Sequence, residues 1–176
     1  NALAALALGH SVDLPMQAML DTLKTYRGLP HRCEYVANID GATYIDDSKG
    51  TNVGATLAAI QGFGDGASRN LILIAGGQSK GQDFSELQSA ASDFVKHSIL
   101  FGQDAAQIAQ TLNTVVDTRI VESLETAVEQ ARQLAASGDI VLLSPACASF
   151  DMFSGFEARG RAFQEAVRNL VASNEY

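Results

Sequence analysis

The hydrophobic residues change their spacing along the chain, between a helical stripe and short continuous runs. Residues 71–75 and 140–143 are apolar at every position, which is typical of strands buried on both faces of a parallel sheet. Val53, Leu57 and Ile60 show the other pattern, the single apolar stripe of a helix. Together the two patterns predict strands at residues 33–36, 42–45, 71–75, 98–101, 119–121 and 139–144, and helices through residues 53–60, 87–94, 105–112, 124–135 and 163–170.

The order of these elements predicts the fold class. The first two strands flank Asp40-Gly41, a dipeptide favoured in hairpin turns, and strands then alternate with helices. This order predicts an α/β fold with a doubly wound, mostly parallel sheet and a leading β-hairpin. Ligands of such sheets bind beyond the carboxyl ends of the strands. The loops at residues 46–52, 76–83 and 144–160 are therefore the candidate sites.

Residues 1–30 predict a helix pair ahead of this alternation. Asp13 is expected to cap the second helix, and Pro15 stands where its missing N–H does no harm. Gly28 and Pro30 mark the boundary between this pair and the alternating strands and helices. The chain opens inside an apolar helix without a Met or basic residues, so we expect a piece of a longer chain rather than a signal peptide.

Composition excludes several classes of protein. Of 176 residues, 47% are hydrophobic and 18% charged, so a sizeable core is expected rather than a disordered or fibrous chain. A formal charge of -8 argues against non-specific binding to nucleic acid or to anionic membranes. No apolar run approaches the roughly 20 residues of a membrane span. With Cys33 and Cys147 expected as buried, reduced thiols, the sequence indicates a cytoplasmic protein.

The first candidate loop joins two carboxylates, Asp46 and Asp47, with Lys49 at a predicted helix N-terminus, where anions are favoured. One interpretation is nucleotide recognition, in which a carboxylate accepts from ribose hydroxyls and the lysine lies near a phosphate. The other is helix capping by Thr51 or Asn52, with a solvated lysine.

The second candidate loop presents Lys80 between glycines. It is not a nucleotide-binding P-loop, because the chain contains no Gly-Lys pair. Lys80 is either a cation for an anionic group or an exposed loop lysine. Residues 62–66 are also rich in glycine, but they follow a helix and are predicted as its stop and a turn.

The third candidate loop offers Ser149 as a donor to a carboxylate. Arg159 could bind a carboxylate or pair with Glu157. Cys147 is not expected to be a nucleophile, because small apolar neighbours raise the pKa of a thiol. We predict no metal site, since no metal-ligand spacing relates the histidines, which are His10, His31 and His97.

Five segments carry a family resemblance when they are taken in order. Residues 29–32 read Leu-Pro-His-Arg, residues 47–52 read Asp-Ser-Lys-Gly-Thr-Asn, and residues 76–84 contain Gly-Gly, Lys-Gly and Asp-Phe. Residues 144–149 read Ser-Pro-Ala-Cys-Ala-Ser, and residues 156–160 include Phe-Glu and Arg-Gly. Over nearly the whole chain this resembles the Mur ligases of bacterial cell-wall synthesis, and residues 144–149 are the most specific piece.

The resemblance implies a Rossmann-like C-terminal ligase domain at residues 31–176, preceded at 1–30 by the last helices of a central ATPase domain. It implies an enzyme that uses ATP and Mg²⁺ to activate UDP-N-acetylmuramoyl-L-alanine as an acyl phosphate. The amine of D-glutamate then attacks to form an amide. The magnesium ligands would lie mostly outside this chain, which we expect to be inactive alone and to turn on a hinge near residues 28–32 in the whole enzyme.

The resemblance also implies roles for single residues. The residues expected to contact ATP are Asn1, Arg32, Asp47 and Lys49. The residues expected to hold D-glutamate are Thr51, Lys80, Ser149 and the backbone around Phe156. His31 matches a family position, and no role is assigned to it.

Two alternatives stay open. The chain could be a stand-alone Rossmann-like module that binds a nucleotide or an acidic metabolite, for which Asp47 and Lys49 would also serve. It could also be the same domain in a relative such as folylpolyglutamate synthetase, although residues 144–149 argue against that.

Overall fold

A computed structural model describes residues 2–64, 66 and 68–172. The helices are α1 (Ala2–Ser11), α2 (Met16–Thr25), α3 (Val53–Phe63), α4 (Leu87–Phe94), α5 (Ala105–Leu112), α6 (Leu124–Leu134) and α7 (Phe156–Ala172). The strands are β1 (Glu34–Ile39), β2 (Ala42–Asp46), β3 (Leu71–Gly76), β4 (Val95–Phe101), β5 (Asp117–Ile120) and β6 (Ile140–Leu143).

The strands form one sheet in the order β1-β2-β6-β3-β4-β5. Strands β1 and β2 pair antiparallel through a turn at Asp40 and Gly41, whose φ angles of 54° and 86° fit the hairpin turn predicted there. The other neighbouring strands pair parallel. The predicted hairpin and the doubly wound, mostly parallel sheet are both confirmed.

One apolar layer lies on each face of the sheet, because successive side chains of a strand point to opposite faces. Leu71 and Leu73 of β3 pack in the cluster that includes α3, α4 and α5. Ile72 and Ile74 pack in the cluster that includes α6 and α7. Two-sided burial explains why β3 is apolar at every position.

Helices α1 and α2 confirm the predicted helix pair, but the cap of α2 differs from the prediction. Pro15 occupies the N-cap position without a side-chain hydrogen bond, and Asp13 lies in the turn before it with φ 59°. The chain folds back here because the amide N–H groups of Asp13 and Leu14 donate to the end of α1. Apolar side chains of the pair are exposed, among them Leu3 and Leu8.

Several element boundaries differ from the sequence prediction. Strand β4 follows α4 directly at Val95, and α7 begins at Phe156, well before its apolar stripe. In the part of the chain that the structure describes, no helix combines the length and the apolar character that crossing a bilayer requires.

The close approach of the loops at the carboxyl edge of the sheet yields a stability prediction. Gly77 has φ +125°, and a Cβ atom there would overlap the carbonyl oxygen of Ala148. Gly77→Ala is therefore expected to lower the free energy of unfolding by about 2 kcal/mol or more. Gly62→Ala is the control, because nothing lies within 4 Å of a Cβ atom on Gly62 in α3. The control should gain up to ~1 kcal/mol.

Chemical denaturation measures the free energy of unfolding of both variants and of the unsubstituted chain. Equal stability of Gly77→Ala and the unsubstituted chain would contradict the described contact between the loops.

Candidate functional site

The three predicted loops meet at the carboxyl edge of the sheet and bind one another through their backbones. The amide of Gly76 donates to the carbonyl of Pro145 at 2.9 Å, and the amide of Ala146 donates to the carbonyl of Gly50 at 2.9 Å. Gln78 and Ala148 form an isolated antiparallel bridge. The candidate site is therefore built on one connected backbone platform.

Arg159 joins the same loops through hydrogen bonds to their backbone carbonyls. It therefore neither binds a carboxylate nor pairs with Glu157, which were the two predictions for its side chain. The side chain is fully buried, and none of the ion pairs among the described residues includes it. Its guanidinium instead donates to the carbonyls of Ser48 at 2.9 Å, Gly76 at 3.3 Å and Cys147 at 3.1 Å. The guanidinium points under the loops because α7 begins at Phe156 and packs across them. Burial lowers the pKa of Arg159 to about 10.

A cavity of about 610 Å³ lies where three of the predicted nucleotide contacts meet. Arg32, Asp47 and Lys49 line one part of it, and small residues of α3, including Ala55 and Ala58, line another. A wall of small side chains leaves room for a flat ring, and the two cations suit phosphate groups. The cavity therefore fits a nucleotide. Asn1, the remaining predicted contact, lies outside the described residues.

Asp47 is buried at the edge of this cavity. One of its carboxylate oxygens accepts from the Ser144 hydroxyl at 2.8 Å, and the other accepts from the Cys33 amide at 3.3 Å. Burial raises the pKa of Asp47, and although these hydrogen bonds act against the rise, the net pKa lies above the usual value. A carboxylate kept in this position at an energetic cost is typical of a functional group.

A second cavity, of about 200 Å³, brings together the residues predicted to hold the amino acid. Its size suits a small anion, and both of its cations carry an aromatic neighbour. The Lys49 ammonium lies 3.9 Å from the centre of the Phe156 ring, and that of Lys80 lies 5.7 Å from the centre of the Phe150 ring. The lining residues are Lys49, Thr51, Lys80, Ala148, Ser149, Phe150 and Phe156.

Lys49 lines both cavities, so the two candidate sites adjoin. The sequence analysis did not select Phe150 as part of the second cavity. Its only signal was an aromatic residue directly after Ser149, which a buried core position would explain equally well.

The capping interpretation of the first loop also holds, through Asn52 rather than Thr51. The Asn52 side chain accepts from the amide of Ala55 at 2.9 Å and caps α3. Thr51 instead lines the second cavity. Capping and ligand contact are therefore divided between neighbouring residues.

His31 joins a cluster that the spacing of the histidines did not predict. Its Nδ1 atom lies 2.7 Å from a carboxylate oxygen of Asp46, and its amide donates to Glu34 at 2.9 Å. The Gln164 amide donates to both carboxylates, at 2.8 Å to Asp46 and 3.1 Å to Glu34. The side chains of His31, Glu34 and Asp46 bring atoms of the kind that bind metals within 4.8 Å of one another. N–H groups already donate hydrogen bonds to both carboxylates. The cluster is a hydrogen-bond junction that ties the start of β1 and the end of β2 to α7.

The two cysteines are free, and one of them corrects the sequence prediction. Cys147 is buried as expected, whereas Cys33 is exposed, because it stands at the start of the edge strand β1. Partial burial of its sulfur and the nearby Asp47 carboxylate raise the pKa of Cys33 to about 11, and burial raises the pKa of Cys147 to about 12. Both thiols therefore stay protonated near neutral pH, which agrees with the absence of a predicted nucleophile.

The part of the chain that carries most of these loops matches a known protein family. A family model described as "Mur ligase, glutamate ligase domain" matches residues 31–147. The chain belongs to the Mur ligase family. Its matched region holds the first two candidate loops and part of the third.

Two curated relatives of this Mur ligase domain carry the same name. It is 54% identical over 171 residues to the UDP-N-acetylmuramoylalanine--D-glutamate ligase of Pseudomonas aeruginosa, and 52% identical over 174 residues to the enzyme of that name from Acinetobacter baylyi. Both alignments cover 97% of this chain. The chain spans only 38% and 39% of the length of those relatives.

Solved structures share the fold of this Mur ligase domain. A UDP-N-acetylmuramate-alanine ligase from Thermotoga maritima aligns with a TM-score of 0.69 and 16% identity, covering 96% of this chain and 37% of that one. The Escherichia coli FolC protein in complex with ADP aligns with a TM-score of 0.69 and 17% identity, covering 97% of this chain and 39% of that one. At these identities the likeness concerns the fold.

The raised pKa of Asp47 predicts a pH dependence of stability. Because the folded-state pKa lies above the unfolded value, the unfolded chain loses this proton first as pH rises, and Asp47 then lowers stability. Asp47→Asn keeps an oxygen acceptor and lacks the charge. We expect this variant to match the unsubstituted chain at low pH and to be at least as stable at neutral pH.

Urea denaturation between pH 4 and pH 8 measures the free energy of unfolding of the unsubstituted chain and of the Asn variant. A stability deficit of the Asn variant that grows with pH would contradict the assigned direction.

Proposed function

We propose that this chain is the part of an ATP-dependent carbon–nitrogen ligase that holds D-glutamate and supplies part of the nucleotide site. The observation that carries the proposal is the pair of adjoining cavities that share Lys49. Membership of the Mur ligase family and the names of its curated relatives support it.

In this proposal the larger cavity takes ATP. Arg32 and Lys49 neutralise phosphate charge, and Asp47 accepts hydrogen bonds from ribose hydroxyls. Asn1 is proposed to lie near the adenine. Mg²⁺ would accompany the nucleotide phosphates, with its protein ligands mostly outside this chain.

The smaller cavity takes D-glutamate. Lys80 binds a carboxylate of the amino acid, and the hydroxyls of Thr51 and Ser149 donate to it. The N-terminal end of α7 at Phe156 faces the same cavity and adds the partial positive charge of a helix N-terminus. These groups favour an amino acid with a second carboxylate over one with an uncharged side chain.

The proposed chemistry joins the two cavities. ATP transfers its γ-phosphoryl group to the carboxylate of UDP-N-acetylmuramoyl-L-alanine, which gives an acyl phosphate and ADP. The amine of D-glutamate attacks the acyl carbon, and phosphate leaves from the tetrahedral intermediate as the amide forms. Lys49 stands between the cavities, where its charge stabilises the anion that develops during these steps.

We further propose that residues 1–30 belong to a central ATPase domain and residues 31–176 to a C-terminal ligase domain. The exposed apolar side chains of α1 and α2, and a family match that begins at residue 31, support this division. The joint lies near residues 28–32, where Gly28 and His31 have positive φ angles of 87° and 60°. Turning at this joint would close the site over its substrates, in the cytoplasm where the free thiols stay reduced.

A ligation assay tests the proposal. The full-length protein that contains this chain is expected to form product from UDP-N-acetylmuramoyl-L-alanine and D-glutamate with release of ADP and phosphate. The chain alone should form none. Product from the chain alone would contradict the division of the site. Tight nucleotide binding by the chain alone, with no product from the full-length protein, would favour a stand-alone binding module.

Lys80→Ala in the full-length protein tests whether the two cavities bind different substrates. We expect the KM for D-glutamate to rise by about two orders of magnitude, because a charge-assisted contact to a carboxylate is lost, whereas the KM for ATP changes little. Arg119→Ala is the matched control, because Arg119 is an exposed cation on the edge strand β5. Equal losses for both substrates in the Lys80 variant would count against the assignment.

A further inference from the structure

The loop between β4 and α5 is hydrogen-bonded to two of the loops that line the second cavity, although the sequence analysis did not select it. We propose that two carboxylates, Asp104 in this loop and Asp151 in the third candidate loop, are positioning residues for D-glutamate. The proposal rests on the proposed function, since it concerns the same cavity. Each carboxylate binds a backbone amide of another loop.

Asp104 secures the loop that presents Lys80. Its carboxylate accepts from the Ser79 amide at 2.7 Å, and its own amide donates to the Gly77 carbonyl at 3.0 Å. Ser79 directly precedes Lys80, whose φ of 55° lies in the left-handed region. The hydrogen bond from Ser79 lowers the pKa of Asp104, so the side chain is a strong acceptor at neutral pH. The position of Lys80 therefore depends on the start of α5.

Asp151 secures the turn that presents Ser149. Its carboxylate accepts from the Gln103 amide at 2.8 Å and lies against Gly102, where a Cβ atom would come within 2.6 Å of it. The carbonyl of Ser149 accepts from the amide of Phe153 at 2.8 Å and closes the turn. Thus Asp151 fastens this turn to the same loop that holds Lys80 through Asp104.

Neither carboxylate lines the cavity. The second oxygen of Asp151 is buried and has no hydrogen-bond partner among the described residues, so it is closed to substrate. A carboxylate in direct contact with an acidic amino acid would also repel it. The two carboxylates therefore act on the cavity indirectly, by holding the backbones of Ser79 and Gln103 in place, and not by contact with the substrate.

Kinetics of the full-length protein test the proposal. Asp104→Ala and Asp151→Ala are each expected to raise the KM for D-glutamate about tenfold, because small misplacements of binding groups have effects of this size, and to leave the KM for ATP within about twofold. Asp104→Asn and Asp151→Asn keep an acceptor oxygen and should recover most of the loss. Asp117→Ala is the control. Asp117 is an exposed carboxylate at the amino end of β5, whereas the cavity lies at the carboxyl ends of the strands.

Hydrogen exchange of the same proteins gives a readout that needs no turnover. Peptides covering residues 77–82 and 148–155 should exchange faster in the Ala variants, and near the normal rate in the Asn variants. If an Ala variant does not fold, Asp104→Ser or Asp151→Ser replaces it, because serine is too short to reach the partner amide.

The outcomes separate the two proposals. Unchanged kinetics and exchange in the Ala or Ser variants, equal losses for ATP and D-glutamate, or Asn variants as impaired as the Ala variants would each overturn the positioning role. If the unsubstituted full-length protein does not use D-glutamate, the proposed function fails. In that case the exchange rates still show whether Asp104 and Asp151 hold these loops in place.

Discussion

The guanidinium of Arg159 donates to backbone carbonyls at or just beyond the carboxyl ends of three adjacent strands, β2, β3 and β6. Removing the arginine would take a donor from each of these carbonyls, and a buried carbonyl left unsatisfied costs roughly 1–3 kcal/mol. The guanidinium itself is buried without a direct counter-ion among the described residues, so its charge is balanced by peptide dipoles and by more distant carboxylates, including Asp151 and Asp46. The loops and the arginine therefore stabilise one another, and most of the candidate ligand contacts, among them Asp47, Lys49, Lys80 and Ser149, lie on this platform.

The platform also explains why two cavities with different chemistry lie side by side. The first loop carries both Asp47, which lines the cavity proposed for the nucleotide, and Thr51, which lines the cavity proposed for the amino acid. Lys49 lies between them, with its ammonium over the ring of Phe156. Two reacting groups held on a rigid frame need little reorganisation before reaction, which is a major source of rate in transfer reactions.

The sequence was sufficient for the elements of the fold and for the loops that carry Asp47, Lys49, Lys80 and Ser149, because the signals involved are local, whereas the parts assigned to Arg32, Thr51 and Phe156 came from the family resemblance. Apolar runs predict two-sided strands such as β3, and loops at the carboxyl ends of parallel strands must lie together. It was insufficient where a contact joins distant segments. Arg159 and Gly76 are far apart in sequence, as are Asp151 and Gln103, and no spacing rule relates them. The cluster around His31 was missed for the same reason, since its members come from the linker, β1, β2 and α7.

The central claim is that adjoining cavities on one backbone platform hold the nucleotide and the amino acid. A crystal structure of the full-length protein with a non-hydrolysable ATP analogue and D-glutamate tests it most directly. The account predicts the ribose beside Asp47, the phosphates beside Lys49, and a glutamate carboxylate on Lys80 and Ser149. D-Glutamate bound away from Lys80, or a nucleotide that leaves the cavity beside α3 empty, would contradict it.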